Sequence, residues 1–285
     1  MTHHPHLGGN FRIGGDLEVH RLGFGAMQIT GRGIWGEPRD VEEAKALLRR
    51  VVESGVNLID TADSYGPEVS ERLIGETLHP YPDDLVIATK GGLLRPGPGN
   101  WQPHCSPGHL KKACEGSLRR LKVERIDLYQ LHTVDRKVPL EDSIGALKEL
   151  QDEGKIRHVG VSNFSVRELE RARAVVDVVT VQNLYNLDDR SSEDVLDYCE
   201  REGIGFIPWY PLGSGDLLSS GSLGEVAKMH DATPAQIAIA WLLAKSRVML
   251  PIPGTSSIEH FEENLGGGAI QLTEEEMSRV EKAVG

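Results

Sequence analysis

Short apolar runs alternate with longer amphipathic segments, and no linker-like or low-complexity stretch divides them. The runs lie at Leu22–Gly25, Asn57–Asp60, Leu85–Lys90, Asp127–His132, His158–Ser162, Val178–Asn183, Gly205–Trp209 and Val248–Ile252. Most are rich in Val, Ile and Leu, which predicts strands buried on both faces. Helices are predicted at Val41–Ser54, Pro107–Leu121, Leu140–Glu153 and Val166–Ala174. In the first, Val41, Ala44, Leu47, Leu48 and Val51 share one face. Gly55, Gly154 and Gly203 stand where helices should stop. Ser165 and Ser192 lie near helix starts, and Thr233-Pro234 has the cap-then-proline form of another.

Strand followed by helix, eight times over, predicts an α/β fold, a (β/α)8 TIM barrel spanning residues 1–285 as one domain. A hairpin is predicted ahead of it, with Phe11–Ile13 and Leu17–His20 joined by Gly14-Gly15-Asp16 and closing the barrel floor. Residues 1–10 are expected to form a mobile terminus. A doubly wound open sheet is the alternative, but its glycine fingerprint is incomplete. Gly23-Phe24-Gly25-Ala26-Met27-Gln28 lacks the third glycine and does not lead at once into a helix.

Composition narrows the function. With 285 residues, 39% of them hydrophobic, the chain can bury a sizeable core. No apolar stretch approaches the ~20 residues of a membrane span, and Met1-Thr2-His3-His4-Pro5-His6 has neither a basic region nor an apolar signal core. No membrane role and a cytoplasmic location are therefore expected. A net charge of −12 argues against a nucleic-acid partner. Cys105, Cys114 and Cys199 form no C-x-x-C pair, so reduced thiols are expected rather than a disulfide framework or a metal site.

Barrel enzymes carry their chemistry at the C-terminal ends of the strands. The second strand ends at Asp60 and continues Thr61-Ala62-Asp63-Ser64-Tyr65-Gly66; the third ends at Lys90 and the fourth at His132. A carboxylate, a phenol, an amine and an imidazole on one rim suit proton delivery to a carbonyl oxygen. A free phenol, with a pKa near ~10, is a poor acid at neutral pH. A neighbouring ammonium held by Asp60 is expected to lower it, and His132 can orient the carbonyl. Taken singly, each residue also has an ordinary use: a solvated lysine, a capping aspartate, a satisfied core histidine.

These residues give the chain its resemblance to the aldo-keto reductases, bacterial members similar to pyridoxal reductase included. The family's Asp, Tyr, Lys and His fall on Asp60, Tyr65, Lys90 and His132. Its G-V-S-N stretch resembles Gly160–Asn163, its Q-x-x-Y-N stretch Gln182–Asn186, its P-L-G-S-G loop Pro211–Gly215, and its I-P-G-T segment Ile252–Thr255. The resemblance implies NADPH (NADP+), bound without a Rossmann domain. It implies that Ser162, Asn163 and Gln182 hold the carboxamide, with Gly25, Met27 and Asp60 nearby, and that Trp209 and Tyr210 lie on the nicotinamide side. Leu212, Gly213, Ser214, Gly215 and Asp216 would wrap the pyrophosphate. Gly254, Thr255, Ser256, Ser257 and His260 would meet the adenosine phosphate, and Glu263 and Asn264 the adenine. Many members carry Lys and Arg where this chain has Gly254 and His260, so NADH use is an alternative.

Trp35 and Trp101, on the predicted loops 27–38 and 91–107, are expected to wall the substrate pocket together with His132. Only a short tail follows Asn264, which implies an open site of broad specificity. The implied activity is reduction of a small-molecule aldehyde or ketone with Tyr65 as general acid, by a monomer or weak homo-oligomer. The alternatives are a dedicated pyridoxal reductase/pyridoxine dehydrogenase and, in a different class, a nicotinamide-binding regulatory subunit.

Overall fold

The computed structural model describes residues 7–213 and 221–282. It begins with the antiparallel hairpin β1 (Asn10–Ile13) and β2 (Leu17–His20). The barrel strands follow: β3 (Phe24–Gly25), β4 (Leu58–Asp60), β5 (Val86–Gly91), β8 (Ile126–Leu131), β9 (Ile156–Ser162), β10 (Val178–Leu184) and β11 (Gly205–Trp209). They form one parallel seven-stranded sheet, in the order β11-β10-β9-β8-β5-β4-β3.

The eighth predicted strand is not a regular one. Pro251 and Pro253 interrupt its run of donors, so a ladder cannot extend there. It still closes the barrel. Phe206 N donates to Val248 O at 2.8 Å, Leu250 N donates to Phe206 O at 2.8 Å, and Gly23 N donates to Pro251 O at 2.9 Å.

The hairpin lies where the sequence predicts. Ile13, Leu17 and Val19 join Leu58, Val86, Ala88, Leu128, Val179, Ile207, Leu250 and Ile252 in one buried cluster that fills the barrel from its floor. Its turn is pinned from outside, where Asp16 accepts from Arg157 and meets His158, both at 2.6 Å. The expectation of a mobile stretch over residues 1–10 is corrected at Leu7–Asn10. Leu7 is fully buried and accepts from Leu22 N, Gly9 accepts from Arg21 N, and Asn10 pairs with His20. Residues 1–6 lie outside the described residues.

The predicted helices form at Val41–Glu53, Pro107–Leu121, Leu140–Asp152 and Val166–Arg173. Ser165 and Thr233 each close a full capping box. Ser192 occupies the N-cap position of Glu193–Glu202 without a side-chain cap bond.

Two elements near the site escape the sequence pattern. The helix Val69–Leu78 buries Ser70 and Glu71 along with its apolar residues, which blurs its amphipathic period. The expected loop 91–107 contains a second hairpin, β6 (Leu93–Gly97) and β7 (Asn100–Pro103), whose prolines and glycines read as loop and whose register slips between Leu94 and Gly97. All three cysteines are free and buried. Among the described residues no helix is long and apolar enough to cross a membrane.

Candidate active site

Parallel pairing puts the ends of β4, β5 and β8 side by side, which gathers Asp60, Lys90 and His132 on one rim. Tyr65 comes from the turn between β4 and the helix Val69–Leu78. All four are buried. Lys90 Nζ donates to Asp60 Oδ2 at 2.5 Å, to Thr61 O at 2.9 Å and to Tyr65 Oη at 3.2 Å, so its three donors are all engaged. Asp60 Oδ1 accepts from Gln130 Nε2 at 3.1 Å and Gln182 Nε2 at 2.8 Å. The carboxylate is thus held on both oxygens, and the ammonium is held against the phenol.

Burial alone would push the Lys90 ammonium down. The charges and hydrogen bonds of Asp60 and Tyr65 outweigh it and leave the pKa above its ordinary value, so Lys90 is a cation. For Tyr65 the balance runs against the expected lowering. Burial raises the phenol more than Lys90 lowers it, with Asp60 raising it further. The resting phenol is therefore fully protonated; Lys90 offsets part of the cost of the phenolate rather than creating one.

His132 is pushed well below its ordinary value by burial, then by the charges of Lys90 and Arg95. A neutral imidazole is the result. Its Nδ1 lies 3.3 Å from Ser64 Oγ. With Ser64 donating, the ring proton sits on Nε2 and is available to a carbonyl oxygen. Because the shift is downward, His132 charges only well below pH 6.5. The rate of carbonyl reduction is expected to show no loss from His132 protonation between pH 6.5 and 8. A pH profile of kcat/KM falling through a pKa near 7 in wild type and flat in His132→Gln would refute this.

These residues open onto a cavity of about 530 Å³. Its lining brings together Gly25, Met27, Asp60, Tyr65, Trp101, His132, Ser162, Asn163, Gln182, Trp209, Tyr210, Leu212, Gly213 and Gly254 from the residues the sequence singles out. Gly25 and Gly254 lie so close that a Cβ on Gly25 would meet Ile252 O at 2.6 Å, and one on Gly254 would meet Gly25 O at 2.6 Å. Side chains are excluded from that wall.

On the opposite wall Asn163 takes a left-handed φ of 61°. Its amide donates to His132 O and Ser162 Oγ, both at 3.1 Å, and its Oδ1 accepts from Trp209 Nε1 at 3.0 Å. Asn163 is thus largely committed to the protein. Ser162 keeps a hydroxyl proton, and Gln182 Oε1 has no donor among the described residues. That donor and that acceptor match a carboxamide. Trp209 and Tyr210 leave aromatic surface open at the mouth, 36% and 52% exposed, where a flat ring can pack.

Some of the residues singled out along the chain lie outside this lining. Trp35 does not line the cavity; its neighbour Ile34, at φ 57°, does. Trp35 instead bridges to Gly66 and packs beside Arg95. Beyond Gly254, neither Thr255, Ser256, Ser257, His260, Glu263 nor Asn264 lines it. Ser257 caps the helix Ile258–Gly266 through His260 N, and Thr255 Oγ1 accepts from Ser257 N. Glu263 O accepts from Gln236, and Asn264 is buried. Ser214, Gly215 and Asp216 lie outside the described residues. Sequence reasoning also missed Thr61, Ser64, Arg95 and Gln130. Gln130 could have been found, since it stands two residues before His132 on a strand and so shares its face. The Thr61 contact is a backbone carbonyl, which leaves no side-chain signal.

A closed parallel barrel with a buried lysine–carboxylate pair against a tyrosine, and a neutral histidine beside it, defines an oxidoreductase of the carbonyl-reducing barrel class. Residues 21–284 match the family model described as Aldo/keto reductase family, and the chain belongs to that family. It is 51% identical over 269 residues to an uncharacterised oxidoreductase of Schizosaccharomyces pombe, covering 94% of this chain and 88% of the relative. It is 41% identical over 273 residues to the pyridoxine 4-dehydrogenase of Escherichia coli, covering 94% and 96%. Among solved structures, an aldo-keto reductase from Klebsiella pneumoniae in complex with NADPH has a TM-score of 0.83 at 28% identity, covering 96% of this chain and 94% of the other. A thermostable aldo-keto reductase bound to the inhibitor epalrestat has a TM-score of 0.83 at 34% identity, covering 93% and 96%.

Proposed function

We propose that the protein reduces aldehydes and ketones to alcohols with NADPH. The observation that carries this reading is Tyr65 Oη, at 3.2 Å from Lys90 Nζ, on the wall of the cavity. When bound, the dinucleotide supplies the hydride that reaches the carbonyl carbon. Ser162, Asn163, Gln182 and Trp209 would hold its nicotinamide end, and Leu212, Gly213 and Gly254 would border its path. Tyr65 gives its proton to the carbonyl oxygen. Lys90, fixed by Asp60, stabilises the phenolate left behind, and His132 aims the oxygen at Tyr65. The apolar walls, Met27, Ile34, Leu93 and Trp101, suit a flat or aromatic carbonyl.

The last helix, Glu274–Lys282, is held on the barrel flank, with Glu276 on His230 and Glu281 on Trp241. It contributes no residue to the cavity lining. A second reading, a dedicated pyridoxal reductase/pyridoxine dehydrogenase, is favoured by the 41% identity to the Escherichia coli enzyme.

The test is loss of reduced-nicotinamide absorbance with pyridoxal, an aromatic aldehyde and a dicarbonyl. NADPH is expected to exceed NADH in kcat/KM by about ten- to a hundredfold, the size of one or two hydrogen bonds to a phosphate. Equal use of both would remove the phosphate contacts from the Thr255–Ser257 turn. Pyridoxal preferred by several orders of magnitude would favour the second reading. Silence on every carbonyl, with NADPH still bound, would favour a nicotinamide-binding regulatory subunit.

A further inference from the structure

Arg95 is 8% exposed and sits on β6, the hairpin the sequence pattern does not show. Its guanidinium lies 3.6 Å from the centre of the Trp101 ring and 5.7 Å from that of Trp35. Arg95 Nη1 donates to Ser64 O at 3.1 Å, and Nη2 donates to Gly33 O at 3.3 Å. One side chain therefore joins the loops that follow β3, β4 and β5. What it holds is the substrate wall. Trp101 packs edge-on against Tyr65, at 6.5 Å between ring centres, and against His132, at 6.4 Å. Ser64, whose carbonyl Arg95 grips, is the residue that meets His132 Nδ1 and precedes Tyr65 in the chain.

We propose that Arg95 is a positioning residue that fixes Trp101 and the Ser64–Tyr65 turn, and so sets the preference of this site for flat aromatic carbonyls. The proposal rests on the carbonyl-reductase reading for its substrate preference. Its geometric content, the fixing of Trp101 and of the turn beside His132, stands apart from that reading. No other residue type does all of this. A lysine carries the charge but cannot lie flat on an indole while donating to two carbonyls. A methionine fills the space and loses both.

The clamp has an electrostatic consequence. The charged and titratable groups facing His132 are Lys90 from β5, Tyr65 from the turn after β4, and Arg95 from the hairpin. Lys90 is compensated by Asp60, whereas Arg95 has no carboxylate partner among the described residues. Its charge adds to burial and to Lys90, the two larger causes, in disfavouring the imidazolium.

The experiment compares wild type with Arg95→Met, Arg95→Lys and Trp101→Leu. Each is assayed on an aromatic aldehyde and on a small aliphatic aldehyde, with NADPH binding measured directly. His132 is titrated by NMR in parallel. Arg95→Met is expected to raise KM for the aromatic aldehyde by about tenfold, the loss of one buried cation–π contact, with less than about twofold change for the aliphatic one. NADPH binding should hold, and the His132 titration should move to higher pH. Arg95→Lys should restore the titration and leave the aromatic KM high. Trp101→Leu should reproduce the KM change, and it keeps the wall testable if Arg95→Met fails to fold.

Equal KM changes for both aldehydes, or an unmoved His132 titration in Arg95→Met, would reduce Arg95 to a structural residue. Absence of turnover in wild type would instead strike the reductase reading, and the NMR titration would still decide for or against the clamp.

Discussion

Tyr65→Phe is expected to lower kcat for carbonyl reduction by about 10²- to 10⁴-fold, the range that a positioned general acid contributes. NADPH affinity should stay within about twofold, because Tyr65 Oη bonds to Lys90 and to none of the carboxamide-facing residues. The substitution removes one oxygen from a buried ring and leaves Lys90 two of its three acceptors, Asp60 and Thr61. The fold should therefore persist, at a cost of about 1 kcal/mol. The pH profile carries a second sign. An acid must hold its proton to act, and burial raises Tyr65 above the ordinary phenol value of 10.0. Reduction should show no alkaline loss from Tyr65 below about pH 10, while oxidation of the alcohol, which needs the phenolate, should rise with pH. Steady-state rates in both directions check this. Near-full kcat in Tyr65→Phe would transfer the acid role to another group.

Lys90→Met is expected to abolish most activity and to destabilise the protein by about 3–5 kcal/mol, the cost of leaving one member of a buried ion pair alone. Lys90 is 0% and Asp60 2% exposed, so water cannot compensate the stranded carboxylate. Gln130 and Gln182 supply only neutral donors to it. Methionine occupies a similar volume, so little of the loss should come from a cavity. The double variant Asp60→Asn/Lys90→Met removes the stranded charge. It should recover a large part of the stability and none of the activity, since Tyr65 still lacks its cation. Denaturant unfolding of the two variants, beside their rates, separates the electrostatic cost from the catalytic one. A double variant as unstable as the single would show that packing, not charge, dominates at Lys90.

Much of this arrangement was legible along the chain because it depends on short-range periodicity. The seven regular strands and the floor hairpin follow from apolar runs and turn residues, and strand ends in a barrel share a rim by geometry. That suffices to bring Asp60, Lys90 and His132 together. Tyr65 joins them because five residues from Asp60 is too short a span to leave the rim. The eighth strand was legible as an apolar run but not as an irregular one, since its prolines interrupt a ladder whose partners lie far away in sequence. The Leu93–Pro103 hairpin was hidden because proline and glycine there mark a loop by local rules, while cross-strand pairing and the packing of Trp101 decide otherwise.

Local periodicity and strand polarity were enough to set the barrel, its plugged floor and the four polar residues on one rim. The protonation states, and with them the chemistry, arose only from long-range packing. Lys90 keeps its charge because Asp60 and Tyr65 together outweigh burial; Tyr65 keeps its proton because burial outweighs Lys90; His132 stays neutral because burial first, and then Lys90 and Arg95, disfavour the imidazolium. Long-range packing also decided that Ile34 rather than Trp35 lines the cavity, and that Arg95 ties three loops into its wall. Each of these is a balance between desolvation and contacts among residues distant in sequence. Such a balance exists only once the chain has folded.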